Sequence, residues 1–154
     1  MKTKTNKQIN TLAYCDNCEK RVPYYIKDTL LTVTVKDKTF EVVIKRAHCK
    51  KCGEEVYPHD IEKENDLIVY DEYRRLQGLL TSDEIKAIRK KRGLSQVGLA
   101  RLINCGDKNI ARYEAGTIQD RVFDLLLRLV DDDRSYKVIL NNSKKQHQLN
   151  HISK

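Results

Sequence analysis

No unbroken apolar run of about eighteen residues occurs in this sequence, so no segment is built to cross a membrane as a helix. Residues 1–10 are polar and lack the apolar stretch of a secretion signal, which predicts a protein of the reducing cytoplasm. Glycine and proline are scarce, at 6 and 2, and no repeat or low-complexity block appears apart from the polar ends. Catalytic patterns are missing as well. No nucleophile stands beside a candidate base, and no glycine-rich loop could cradle a phosphate, which argues against an enzyme.

The positive features begin with charge. With 30 Lys and Arg against 22 Asp and Glu, the net charge is +8 and the pI about 9.2, a balance suited to a polyanion and most simply to nucleic acid. A length of 154 residues allows one ordinary domain or two small ones, and the motifs favour two.

Four of the five cysteines form two pairs, Cys15-x2-Cys18 and Cys49-x2-Cys52, with thirty residues between them. In a reducing compartment, paired cysteines point to metal before disulfides. The gap holds a hairpin: Thr29–Val35 and Phe40–Ile44 alternate apolar and β-branched residues around the polar turn 36–39. Two knuckles meeting at the base of a hairpin supply four thiolates for one structural Zn2+ per chain, with no open position for catalysis. Gly53 suits the left-handed turn that follows such a knuckle; Glu19, at the matching place, predicts a different first turn. A single pair could instead be a redox dithiol. His48 and His59 are possible substitute ligands, and His147 and His151 stand at helical ligand spacing in a polar tail. Cys105 reads as a small buried residue.

Helical spacing then takes over. Val69, Tyr73, Leu76 and Leu80 share one face of a helix expected over about Asp60–Leu80, with Gly78 as a hinge between modules. Thr81 and Glu84 form a capping box that starts a helix carrying Ile85 and Ile88 inward, and Gly93 closes it. Ser95 caps a second helix reaching about Ile103, in which Ala100 permits close packing. After a turn containing Gly106, a third runs from about Asp107 to Glu114, and a fourth, near Arg121–Val130, is apolar almost all round. The surplus apolar surface of that fourth helix suggests either burial in a small domain or a second subunit.

The segment 95–116 therefore reads as a helix-turn-helix whose last helix enters a DNA major groove. Arg112, with a planar fork that matches guanine O6 and N7, is the first candidate for a base contact. Lys108 lies one turn before it and could reach a base or a phosphate. Asn109 could read adenine or hold the backbone, and Gln96 is placed for a phosphate or an adjacent base. Each has a plain alternative: Arg112 could pair with Glu114, and Lys108 could be a solvated charge. Ile110 and Tyr113 face the core. Asp107 repels phosphate, so it must avoid the DNA backbone or accept from cytosine.

With both modules in view, residues from about Tyr14 to Leu140 resemble the MqsA-type antitoxins, with their YgiT-type zinc finger followed by a Cro/repressor-like segment. The likeness rests on the four cysteines with their hairpin-length gap, on Gly106, and on Arg112-Tyr113-Glu114-Ala115-Gly116. It implies a zinc domain that blocks an RNA-cleaving toxin and a homodimeric C-terminal domain that represses its own operon at a palindromic duplex. The family's base-reading asparagine and arginine fall on Lys108 and Arg112; the asparagine is replaced here by lysine.

The expected fold is α+β: a small zinc-bound β-hairpin module, then an all-α helix-turn-helix domain of about five helices. The expected boundaries are a disordered 1–11, a zinc domain at 12–60, a linker helix at 61–80, a DNA-binding and dimerisation domain at 81–140, and a polar, fraying tail at 141–154. A free-standing or phage-related repressor with a structural or redox-sensing zinc module is the competing function. An RNA-binding zinc ribbon would need exposed aromatics on the hairpin, for which Tyr24 and Tyr25 are thin support.

Overall fold

The computed structural model describes residues 12–152, with side-chain surroundings for residues 12–143. The expected disorder of residues 1–11 and the side chains of His147 and His151 lie outside the described residues. The fold is α+β. The strands are β1 (Leu12–Cys15), β2 (Lys20–Val35), β3 (Lys38–Cys49) and β4 (Glu55–Val56). The helices are α1 (His59–Leu76), α2 (Ser82–Lys91), α3 (Gln96–Leu102), α4 (Asn109–Glu114), α5 (Arg121–Asp131) and α6 (Asp133–Ile152). The described residues form two compact units, divided between Val69 and Tyr70 inside α1.

The first unit is an antiparallel sheet in the order β1-β2-β3-β4. Its central hairpin is longer than the alternating segments predict, because β2 and β3 pair from Tyr24 opposite Cys49 to Val35 opposite Lys38. Period-two alternation puts Val42 and Ile44 on the covered face, while the cross-strand pair Leu30 and Val43 faces outward. Beyond the two-residue β4, the edge of β3 would show unpaired backbone groups. Asn65 of α1 takes one set: its side chain accepts from Lys45 N–H at 2.9 Å and donates to Lys45 C=O at 2.8 Å. The small core comprises Ala13, Cys15, Val22, Ala47, Cys49 and Val56. A core of that size, two thirds of it alanine and cysteine, leaves stability to be supplied by something other than apolar burial.

The second unit packs around Leu80, Ile85, Ile88, Leu99, Ala100, Ile103, Ile110, Tyr113, Leu127 and Val130. Local rules set its helix ends. Thr81 and Glu84 make the full capping box at α2, and Ser95 Oγ accepts from Gly98 N–H at 2.9 Å at α3. Four helices in succession, α1 to α4, close with a left-handed residue, namely Gly78, Gly93, Asn104 and Gly116. At α1 this is the paired cap in which Gly78 N–H reaches Arg75 C=O and Leu79 N–H reaches Arg74 C=O.

Four expectations change here. The helix expected to reach Leu80 ends at Leu76, and Gly78 is its cap within the second unit rather than a hinge between units. Leu76 is exposed, and the inward positions of the last turns are Asp71, Tyr73 and Arg74. Past Leu140, where fraying was expected, α6 continues to Ile152.

Candidate metal centre and nucleic-acid interface

Cys15 ends β1 and Cys18 lies in the turn to β2, and likewise Cys49 ends β3 and Cys52 lies in the turn to β4. The two turns present all four Sγ atoms within 4.8 Å of one another. Cys15–Cys52 and Cys18–Cys49 stand at 3.5 and 3.9 Å, well beyond a disulfide bond and close to the edge of about 3.8 Å of a tetrahedron with 2.3 Å metal–sulfur bonds. The donor set thus fits a metal ion of tetrahedral preference. Gly53 follows its knuckle with φ +79°, as expected, and its N–H bonds to Cys49 C=O at 2.9 Å. Glu19 departs from expectation. It also takes a left-handed conformation, φ +49°, because the β1–β2 turn needs the same reversal whatever residue is present.

The four thiols are electrostatically unequal. Hydrogen bonds from the Asn17 side chain and the Glu54 backbone bring Cys52 down to about 6. Cys18 is pushed up to about 12, first by its hydrogen bond with Cys52 and then by burial. Lys51 N–H also points at Cys49 Sγ, at 3.3 Å. Among the described residues, the one group that could hold a metal ion is Cys15, Cys18, Cys49 and Cys52. His48 instead stacks on Tyr25 with ring centroids 5.4 Å apart, its Nδ1 lying 3.3 Å from Gly53 C=O, and His59 is exposed. Cys105 is buried in the second unit, and burial pushes its thiol up.

In the second unit, α3 and α4 form the helix-turn-helix. Ile110 and Tyr113 are buried, and Lys108 and Arg112 project from the opposite side as exposed cations. Neither cationic side chain makes a hydrogen bond or ion pair among the described residues. α4 begins later than expected: Lys108 is its N-cap residue, and Asp107 belongs to the preceding turn. Asp107 is not free to repel phosphate, since Arg101 donates to both its oxygens at 3.2 and 3.0 Å and holds the carboxyl below its ordinary range. The left-handed residue of the turn is Asn104, not Gly106.

Glu114, the alternative partner of Arg112, is occupied elsewhere. It receives Arg89 Nε and Nη2 at 2.5 and 3.0 Å and Gln96 Nε2 at 2.8 Å. Burial raises its pKa, but these hydrogen bonds and the Arg89 charge outweigh that, so the carboxyl titrates below its usual range. Gln96 is therefore held in place with one amide hydrogen still unused. Asn109 is half-buried. Sequence reasoning did not single out Arg89, whose role depends on a partner 25 residues away.

Charge is segregated between the units. Residues 12–69 carry 10 Lys and Arg against 11 Asp and Glu, whereas residues 70–154 carry 17 against 11. The basic excess thus travels with the helix-turn-helix.

The profile of one protein family, the antitoxin component of bacterial toxin-antitoxin system, MqsA, matches residues 13–136. The chain belongs to the MqsA antitoxin family. The match takes in all four cysteines and helices α1 to α5, so the MqsA assignment covers both units. An MqsA antitoxin has a toxin as partner and acts as a regulator. No curated protein matches the chain. Among the described residues no helix is long and apolar enough to cross a membrane.

Proposed function

We propose that the protein is the antitoxin of a type II pair in the cytoplasm. It neutralises an RNA-cleaving toxin through a zinc module built on Cys15, Cys18, Cys49 and Cys52. As a homodimer it represses its own operon by reading a palindromic duplex through α4. The ion is Zn2+, one per chain, because four thiolates at tetrahedral spacing select a soft-tolerant d10 cation and close its coordination. Its work is structural; the protein binds and does not catalyse.

The observation that carries the DNA-reading half is the division of α4 into a buried side and a cationic side that nothing else in the fold uses. Arg112 reads a base edge, Lys108 a base or phosphate one turn earlier, and Gln96 and Asn109 support them at the helix starts. The arithmetic of charge agrees, since the module that binds zinc is close to neutral before its thiolates are counted.

Two experiments test the proposal. Selection of duplexes from a random library with the purified full-length protein should return a two-half-site palindrome. Pull-down from the native host should recover a protein encoded beside this gene, and loss of the zinc should abolish that capture. A random pool after selection removes the repressor role. A palindrome without a captured neighbour would make the protein a free-standing repressor.

A further inference from the structure

We infer that Arg74, at the end of α1, is the positioning residue of the DNA-reading helix. This rests on the role proposed above for α4. Arg74 is fully buried, an uncommon place for a guanidinium, because a buried charge without partners is too costly to persist. Its fork is filled. Nη1 donates to Asp71 Oδ1 at 2.6 Å, Nε to Gln119 Oε1 at 3.0 Å, and Nη2 to the carbonyls of Tyr113 and Thr117 at 3.0 and 2.6 Å.

Those partners belong to different elements. Asp71 also accepts from Ser82 N–H and Oγ at the start of α2, at 2.8 and 2.5 Å. Gln119 passes its own hydrogens to Leu80 C=O and to Asp124 of α5, at 2.7 and 3.0 Å. One planar group thereby fixes the ends of α1 and α4 and, through its two neighbours, the starts of α2 and α5.

The geometry matters most for α4. It has six residues, fewer than two turns, so its own hydrogen bonds cannot hold its direction. Apolar packing of Ile110 and Tyr113 holds it against the core without fixing its rotation, because such contacts are non-directional. Hydrogen bonds from a rigid fork are directional. They fall on Tyr113, the residue after Arg112, and on Thr117, just past the helix. A helix C-terminus also favours a cation at those carbonyls. Replacing a buried ion pair by apolar residues is often harmless to stability, so its best-attested use is to select one arrangement over near alternatives.

Arg74→Lys keeps the charge but replaces the fork by a point donor that cannot serve all four acceptors. The full-length variant, checked for zinc content and a native melting transition, is titrated with the selected palindrome and with a scrambled duplex. Positioning predicts a fall in affinity for the palindrome of about five- to 150-fold for each half-site, the range of one lost bidentate base contact. Affinity for the scrambled duplex and the salt slope stay unchanged, because Arg74 touches no phosphate. Gln119→Met, which removes the acceptor of Nε and leaves Asp71 and both carbonyls, should show the same signature in weaker form.

Wild-type affinity for the palindrome in a folded Arg74→Lys variant overturns the inference, as does equal loss on both duplexes. If Arg74→Lys does not fold, Gln119→Met decides by the same criteria; failure of both to fold assigns Arg74 to stability and also overturns it. The underlying reading fails separately, through absence of any preference in the wild type or indifference to Arg112→Ala.

Discussion

Arg89 and Glu114 face each other across the helix-turn-helix as a two-point ion pair, Nε and Nη2 each on its own carboxylate oxygen. The pair ties α2 to the end of α4 and, by occupying Glu114, leaves Arg112 without a partner among the described residues. It also makes the second unit sensitive to acid. The folded-state pKa values of Glu114 and Asp124 lie below their ordinary ones, because hydrogen bonds to the ionised forms outweigh burial. Groups of this kind contribute stability in full above the unfolded pKa and lose it as pH falls through the folded value. Helix melting followed by circular dichroism should therefore be flat near neutrality and decline below about pH 4.5. Glu114→Gln should cost up to about 3 kcal/mol at pH 7 and flatten the acid limb, since the half-buried partner Arg89 is left with a neutral acceptor. An unchanged acid limb in that variant would assign the titration to other carboxylates.

Arg112 and Lys108 are separable by what each substitution does to specificity. Arg112→Ala should lose about 1–3 kcal/mol for each half-site of the best duplex and relax preference at one base pair in each half. Lys108→Ala should weaken all duplexes alike and lower the salt slope by about one if it meets a phosphate. Binding titrations on single-base variants of the selected site at two salt concentrations resolve the two cases. Equal loss from Arg112→Ala on every duplex would reduce Arg112 to a neutralising charge.

How far such reasoning reaches from sequence depends on the distance over which a feature is specified. The Cys-x2-Cys pairs, the Thr81–Glu84 box, the Ser95 cap and the Gly93 closure are relations between residues three or four apart, and all are in place. Gly78 marks a turn in the same local way, but a left-handed glycine does not say whether the segments beside it cohere; the division falls earlier, inside α1. The inward residues Asn65, Asp71 and Arg74 broke the apolar period because their partners lie elsewhere, Lys45 at twenty residues' separation and Gln119 at forty-five. No periodicity announces a polar group whose satisfaction is tertiary. The continuation of α6 through a polar stretch was hidden for the opposite reason: it has helical residues without an apolar stripe to signal them.

Metal removal should affect the two units unequally. The first has a core of six small or medium residues, whereas the second has eleven, including Leu99, Ile110 and Leu127, closed by its own caps. Chelation, or Cys49→Ser, should therefore abolish the strand signature and toxin capture while helical structure and duplex binding survive. Elemental analysis should find one zinc per chain in the native protein. Loss of helix and strand together on chelation would show that the metal stabilises more than its own module.

The outward face of α5 bears on oligomeric state. Val122, Leu125 and Leu129 are 67%, 58% and 37% exposed and fall three and four residues apart, so they form one stripe, with Leu127 and Val130 turned into the core. Single exposed apolar side chains are ordinary, but a stripe along one helix is what a self-complementary contact requires. A two-fold partner seated there would give the two reading helices that a palindrome needs. Leu125→Glu should leave the fold of the single chain intact, because the side chain is exposed within it, and should convert a dimer to a monomer in sedimentation at micromolar concentration, with a fall in melting temperature limited to the lost dimer contribution. Each reading helix would then bind its half-site alone, so affinity for the palindrome should fall by at least about a hundredfold. Affinity for a single half-site should stay where it was. A wild-type protein that sediments as a monomer at that concentration, or a Leu125→Glu variant that remains dimeric, places the contact elsewhere.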